Sequence, residues 1–432
     1  MQAIIQAGGA GTRLKSITGD LPKPMVSING KPILEWQILS LKQSGIVDVT
    51  VVISKNGNAI KEYFKDGKDF GVKIRYIVEE IPLGTAGGLY FAKEFIKDDF
   101  FLVFGDLMLD IDWERYRDYA LSKKALLVPL AHPNSHPFDS DLLVTDESNK
   151  ILRIDSKHNV RDYYYKNLTN AGIYWCDHNI LELIDEPKKI DFEKEILTST
   201  IERGAAFVYK SSEYVKDCGT PDRYYSVEND CKNGIISAKR LSNKQKAIFL
   251  DRDGTINVFG DFVRDASKLE LIDVAPEAIK LIDESEYLPI VITNQPVIAR
   301  GETTFDELAR IHNKMEVLLG EKNAYLTDIY FCPHHPDSGY EGEVKELKIV
   351  CDCRKPKIGM LLKAAHEYNI DLSKSWFIGD TSQDVQTGIN AGCKSIKVTS
   401  GDPRPNRKYE NAVPDYVAND ILEAVKLILN KK

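Results

Sequence analysis

An apolar strand run breaks into a phosphate-type turn twice in this chain, as AIIQAGGAGTRL at 3–14 and as AIFLDRDGTIN at 247–257. Ligands of open α/β sheets bind beyond the carboxyl ends of the strands, so each run asks for a sheet built around it. Short apolar runs alternate with helix-length patterns after both: VTVVI, FFLVF, ALLVPL, AGIYW and AAFVY in the first half, PIVIT, DIYF, SWFIGD and SIKV in the second. The alternation, with helices expected over 32–44, 275–286, 304–319, 358–368 and 382–391, predicts an α/β chain of two doubly wound domains with mainly parallel sheets. A length of 432 residues is too great for one ordinary core. The polar stretch ISAKRLSNKQK at 236–246 is the expected linker, leaving domains at 1–235 and 247–432.

Charge excludes two classes of partner. A formal net charge of −8 leaves no broad basic face for nucleic acid or an anionic membrane. The chain has no run of 18 apolar residues and no basic-then-apolar leader, so neither a membrane span nor a signal peptide is expected. Seven cysteines, three of them crowded into 332–353, suit a reducing cytoplasm and one metal site better than a disulfide framework.

The first turn holds Gly8, Gly9, Gly11, Thr12 and Arg13, and LPKPM follows with Lys23. Glycines let backbone N–H groups approach phosphate oxygens closely, while Arg13 and Lys23 bring the positive charge a triphosphate needs. EEIPLGTAGGL at 79–89 is a second glycine loop, Asp106 closes a buried strand, and Asp217 precedes a Gly-Thr-Pro turn. Two carboxylates at strand ends suit Mg²⁺, although each alone is also an ordinary turn cap.

Together these stretches resemble the sugar-1-phosphate nucleotidyltransferase family over residues 1–230. The resemblance implies a Rossmann-like N-terminal domain that binds a nucleoside triphosphate, GTP being favoured, through Gly8, Gly9, Gly11, Thr12, Arg13 and Lys23. Arg13 and Lys23 would also be catalytic, Gly84 and Thr85 would lie near the base, and Asp106 and Asp217 would hold Mg²⁺. NAGIYW (Asn170, Gly172) and FEKEI (Glu193, Lys194) match the family's sugar-contacting segments, with Lys157 reaching the sugar phosphate. Gln6 and Cys218 depart from the family pattern.

In the second half, Asp251 and Asp253 follow a strand, one residue apart. Such a pair in a turn aims a nucleophile and an acid/base at one ligand. VITNQ (Thr293, Asn294), CRKP (Arg354, Lys355) and FIGDTSQD (Asp380, Asp384) complete a four-part pattern that resembles the haloacid dehalogenase superfamily. The resemblance implies a C-terminal phosphatase domain with Asp251 as nucleophile, Asp253 as acid/base and Lys355 stabilising charge. Thr293, Asn294, Arg354 and Lys355 would bind phosphate, and Asp251, Asp253, Asp380 and Asp384 would hold Mg²⁺. FCPHHP and CDCRKP offer Cys332, His334, Cys351 and Cys353, a Cys₃His set for a closed, structural Zn²⁺ site. His334 rather than His335 is chosen by family match.

This zinc-bearing form resembles the heptose 1,7-bisphosphate 7-phosphatases, with histidinol-phosphate phosphatases as rivals. Pro296, Val297 and Thr381 are departures. A transferase that consumes a sugar 1-phosphate favours a partner phosphatase that spares the anomeric phosphate. The expectation is therefore a bifunctional cytoplasmic enzyme acting on heptose phosphates and a triphosphate, its oligomeric state left open. A mannose-1-phosphate guanylyltransferase fused to a different phosphatase is the alternative, and a sugar-nucleotide-binding module with one silent domain the minor one.

Overall fold

The computed structural model describes residues 1–9, 17, 19, 21–260, 262–401 and 407–430. It divides into two compact units. The first comprises Met1–His132, Asp141–Ser156 and Thr169–Arg240; the second comprises Pro133–Ser140, Lys157–Leu168 and Leu241–Lys432. The division after Arg240 falls inside the polar stretch at 236–246. Two segments that the sequence places among the transferase strands group with the second unit.

In the first unit, β1 (Gln2–Gln6), β2 (Asp48–Ser54) and β4 (Phe100–Phe104) are apolar enough to be buried on both faces, as inner strands of a parallel sheet must be, while β3 (Lys73–Glu79) stands at the sheet edge and is only partly buried. β1 lies between β2 and β4, all parallel, with Ala3 opposite both Val49 and Phe101. Beyond β4 the sheet turns antiparallel through β9 (Thr169–Cys176), which pairs with β4, with β6 (Leu127–His132) and, at Thr169, with β7 (Leu142–Thr145). β8 (Ile151–Asp155) and β10 (Tyr209–Lys210) complete nine strands among the described residues. The sheet is thus mixed where the alternation implied a mainly parallel one, because an apolar run carries burial and not direction. A separate ribbon pairs β5 (Leu107–Asp110) with β11 (Tyr214–Asp217), placing Asp217 opposite Leu107. Helix Ile33–Gln43 packs Leu34, Ile38 and Leu41 into the core.

The second unit is a six-stranded parallel sheet in the order β14 (Asp328–Cys332), β13 (Tyr287–Asn294), β12 (Lys246–Leu250), β15 (Trp376–Gly379), β16 (Lys394–Val398), β17 (Tyr416–Ala418). Phe249 lies opposite Ile290 on one side and Phe377 on the other. The chain starts in the middle of the sheet and leaves in opposite directions, so the switch point falls between β12 and β15. Asp251 and Asp380 immediately follow those two strands. Helix Ala275–Asp283 buries Ala275, Ala278, Ile279 and Ile282, the i, i+3, i+4, i+7 stripe of an amphipathic helix. Each such fully buried isoleucine is worth about 1.5–3 kcal/mol. The helices match the sequence expectation to within a few residues at each end. No helix among the described residues is long and apolar enough to cross a membrane.

Candidate active sites

At the carboxyl end of β1 the chain enters Gly8 and Gly9, and Gly105 N–H donates back to the Gln6 carbonyl at 2.9 Å. The Gln6 side chain donates to the Gly84 carbonyl at 3.2 Å, so this departure from the family pattern joins the two glycine loops. Gly84 has φ +80°, and a Cβ there would sit 2.3 Å from the Ile190 carbonyl oxygen. Only glycine fits both demands. Thr85 Oγ1 accepts from Phe192 N–H at 2.7 Å, fixing the loop to the segment that carries Glu193 and Lys194. Gly11, Thr12 and Arg13 lie outside the described residues.

Asp106 sits in the turn between β4 and β5. Gln37, fully buried, holds that turn by donating to Phe104 O at 2.9 Å and Leu107 O at 2.7 Å. Lys23 Nζ pairs with Asp106 at 3.2 Å. The β5–β11 ribbon brings Asp217 to the same end, where Cys218 N–H donates to the Asp106 carbonyl at 3.2 Å. Asp217 is held by Arg223 at 2.6 Å. Gln37 and Arg223 were not singled out from sequence. Their signals were a glutamine inside an apolar helix face and an arginine six residues after a strand-end aspartate.

Asn170 donates to Glu193 at 2.7 Å and to the Tyr174 hydroxyl at 2.9 Å, while Tyr174 donates to Glu193 at 2.8 Å. Burial, with Glu193 beside it, keeps the Tyr174 hydroxyl well above its ordinary range and so a donor. The expected pair Asn170 and Glu193 therefore meets, with Tyr174 as an unforeseen third member. Gly172 has φ +75° between them in sequence, and Lys194 is exposed. Lys157 lies in the segment that belongs to the second unit.

In the second unit Asp251 and Lys355 are 2.8 Å apart, and Lys355 also reaches Asp384 at 2.5 Å. Burial and then Asp384 push the Asp251 carboxyl up to about 7, against the pull of Lys355. Burial opposes the charge of Lys355, yet Asp251 and Asp384 hold its ammonium above the usual range. Asp251, Asp380 and Asp384 each offer an oxygen within 4.8 Å of the others. Asp380 fits because Gly254 (φ +79°) and Gly401 face it; a Cβ on either would come within 2.4 Å of its Oδ2.

Asp253, expected in the same metal set, has its carboxylate turned elsewhere. Arg252, fully buried, donates to both its oxygens at 2.8 Å, and Gln295 and Asn257 donate at 2.9 and 3.1 Å. Burial alone would raise Asp253, but Arg252, Gln295 and Asn257 hold it below its ordinary value. Thr293 accepts from Gln295 at 2.9 Å. Asn294 clamps the Lys355 backbone from both sides, accepting from its N–H at 3.0 Å and donating to its carbonyl at 3.3 Å.

Cys332, His334, Cys351 and Cys353 converge, with Cys353 Sγ 3.2 Å from Cys332 Sγ, Cys351 Sγ and His334 Nδ1. His335 points away: its ring nitrogens meet the Asp337 N–H at 3.2 Å and Arg300 at 3.3 Å. Three sulfurs and one imidazole nitrogen at these separations match a closed tetrahedral zinc set with no position left for substrate. Arg354 donates to the His334 carbonyl at 3.1 Å, so the cluster anchors the residue before Lys355. Purified protein is expected to carry about one equivalent of zinc, and Cys353→Ser to lose most of it. Elemental analysis finding less than half an equivalent in undamaged wild type would rule the cluster out as a zinc site.

Residues 2–234 match the nucleotidyl transferase family, and residues 352–424 match the HAD-hydrolase-like family. The chain is similar to a D-glycero-beta-D-manno-heptose-1,7-bisphosphate 7-phosphatase of Yersinia pestis, at 37% identity over 190 residues, 44% of this chain and 97% of that protein. It is similar to a D-glycero-alpha-D-manno-heptose 1-phosphate guanylyltransferase of Campylobacter jejuni, at 36% identity over 226 residues, 52% of this chain and 97% of that protein. The crystal structure of HddC from Yersinia pseudotuberculosis aligns at 27% identity and TM-score 0.47, over 53% of this chain and 99% of that one.

Proposed function

The chain belongs to the nucleotidyl transferase family over residues 2–234 and to the HAD-like heptose-bisphosphate phosphatases in its second half, and from that membership we propose that it activates a heptose in two consecutive steps. The phosphatase removes the 7-phosphate of D-glycero-D-manno-heptose 1,7-bisphosphate; the transferase then joins the heptose 1-phosphate to GMP from GTP and releases pyrophosphate. The observation that carries this reading is that the chain covers nearly all of two relatives whose names share one sugar, the product of one being the substrate class of the other. Their names differ in anomer. Because the phosphatase leaves the anomeric phosphate untouched, the bisphosphate that feeds this transferase is the α form. Such chemistry belongs in the cytoplasm, where triphosphates are available, and supplies sugar for cell-surface polysaccharide.

In the phosphatase the Asp251 carboxylate attacks phosphorus as the bond to the sugar oxygen breaks, and Asp253 protonates that oxygen. Water then attacks the aspartyl phosphate, Asp253 takes its proton, and Asp251 is restored. Arg252 keeps Asp253 anionic in the free enzyme, which suits the second step. For the first, the phosphate monoester, whose second pKa is about 6, brings the proton that Asp253 passes to the sugar oxygen, and the proton later taken from water leaves Asp253 with the departing phosphate. Lys355 lies beside the nucleophile where charge builds on the phosphoryl group. Asp251, Asp380 and Asp384 fit a divalent ion, and bound Mg²⁺ supplies charge neutralisation there.

In the transferase the attacking 1-phosphate oxygen is already anionic, so positioning and charge stabilisation suffice without a strong base. Lys23 and the backbone at Gly8 and Gly9 receive the triphosphate. Asp106 and Asp217, each now paired with a cationic side chain, would hold Mg²⁺. Asn170, Tyr174 and Glu193 present a linked set of donors and acceptors to sugar hydroxyls. The test is pyrophosphate release from a panel of triphosphates against heptose and mannose 1-phosphates. GTP with the α-heptose 1-phosphate is expected to give the highest kcat/KM; a faster rate with another triphosphate, or with mannose 1-phosphate, overturns the assignment.

A further inference from the structure

Two segments that lie among the transferase strands in sequence, Pro133–Ser140 and Lys157–Leu168, belong to the phosphatase unit. Hydrogen bonds make them one piece. Asn167 Nδ2 donates to the Asn134 carbonyl at 2.7 Å and Asn134 N–H donates to Asn167 Oδ1 at 3.1 Å. Arg161 donates to the carbonyls of Pro137 at 2.8 Å and Ser140 at 2.7 Å.

That piece sits on helix Phe305–Gly320. Asn167 N–H donates to Glu316 Oε2 at 3.2 Å, Asn313 donates to the Tyr164 carbonyl at 3.4 Å, and Tyr164 packs against the core that holds Met315 and Leu319. At the helix end Pro137 lies so close to Gly320 that a Cβ there would come within 2.7 Å of its ring. One turn before Glu316, on the same helix face, stands His312.

His312 is buried, and burial followed by the charge of Arg252 pushes its imidazole down to about 3, so it is neutral. A guanidinium has no acceptor, so at 3.3 Å Arg252 Nη1 donates and His312 Nε2 accepts. Arg252 in turn holds both oxygens of Asp253 and donates to Gln295 at 3.2 Å. A continuous line of contacts therefore runs from Asn167 through Glu316, helix Phe305–Gly320, His312 and Arg252 to the acid/base.

We propose that the two segments form a positioning element of the phosphatase, holding helix Phe305–Gly320 so that His312 keeps Arg252, and through it Asp253, in place. The phosphatase thereby takes part of its support from residues that precede helix Phe305–Gly320 by more than a hundred positions. The inference rests on the reading of Asp253 as acid/base, but not on the identity of the sugar.

The experiment uses the full-length chain and compares an alkyl with an aryl phosphate. An alkoxide leaves badly without a proton, whereas p-nitrophenolate leaves without one, so misplacing Asp253 harms the first substrate more. Glu316→Ala is expected to lower kcat for the heptose bisphosphate, or for glycerol 2-phosphate, about tenfold with KM within about twofold. Turnover of p-nitrophenyl phosphate should fall less than about threefold, and pyrophosphate release should be unchanged. His312→Leu should behave alike, and His312→Gln, which keeps an acceptor for Arg252, should recover to within about threefold of wild type. Equal loss on both phosphates, a rise in KM for the bisphosphate alone, or wild-type kcat in folded Glu316→Ala would each overturn the proposal. Wild type that turns over glycerol 2-phosphate and not the heptose bisphosphate would instead overturn the heptose assignment while this comparison still ran.

Discussion

Asp251→Asn is expected to lower phosphate release from the bisphosphate by at least about 1,000-fold, because the amide has no anionic oxygen to attack phosphorus. Pyrophosphate release by the same protein should stay within about twofold of wild type, since no transferase residue changes. The substitution is close to isosteric, and Lys355 keeps Asp384 at 2.5 Å, so the fold has no reason to fail. A stability readout accompanies it. Burial and Asp384 raise the Asp251 carboxyl from 3.8 to about 7 in the folded chain. A carboxyl raised on folding contributes stability that is full below its unfolded pKa and is lost as pH rises through the folded one. Without added divalent cation, wild type should therefore lose stability between about pH 4 and pH 7 relative to Asp251→Asn. Thermal melts of the two proteins across that range check the sign. Loss of both activities in Asp251→Asn would mean that the halves are not independent.

Lys23→Met should produce the complementary defect, lowering kcat/KM for pyrophosphate release by about 100–1,000-fold, the usual effect of removing one group aimed at developing charge. Lys23 is the cation paired with Asp106, at 3.2 Å, and its side chain is only 13% exposed. Methionine keeps most of the stem's packing and removes the charge. Phosphate release should be unaffected, which separates lost chemistry from lost folding. Near-wild-type pyrophosphate release in this variant would remove Lys23 from the site.

The two centres were legible in sequence to different depths. Asp251 and Asp380 each directly follow a strand, Asp384 lies in the first turn of the helix after the second of these, and Lys355 follows the pair Cys351 and Cys353 in a loop, so the strand order brings the aspartates together. The four zinc candidates come as two close pairs, Cys332 with His334 and Cys351 with Cys353, and β14 needs only to end beside the second pair. Asp253 was found as a residue, but its partners were not. Arg252 stands next to it in sequence and could have been read either way, since a charged residue at a strand end is usually solvated. Its full burial depends on His312, sixty positions later, and on Gln295. Gln37 was hidden for the same reason: its value lies in the carbonyls of Phe104 and Leu107, which a helix pattern over 33–43 does not mention.

By itself the sequence determined two α/β units, two phosphate-handling turns at strand ends, and a Cys₃His cluster, because these rest on periodicity and on residues a few positions apart. Only the tertiary structure decided that the first sheet turns antiparallel beyond β4, that Asp253 is held by buried Arg252, and that 133–140 and 157–168 support the phosphatase helix. Strand direction, burial of a charge and the docking of a loop are set by contacts between residues far apart in the chain, and no local pattern encodes which distant surface will exclude water from them.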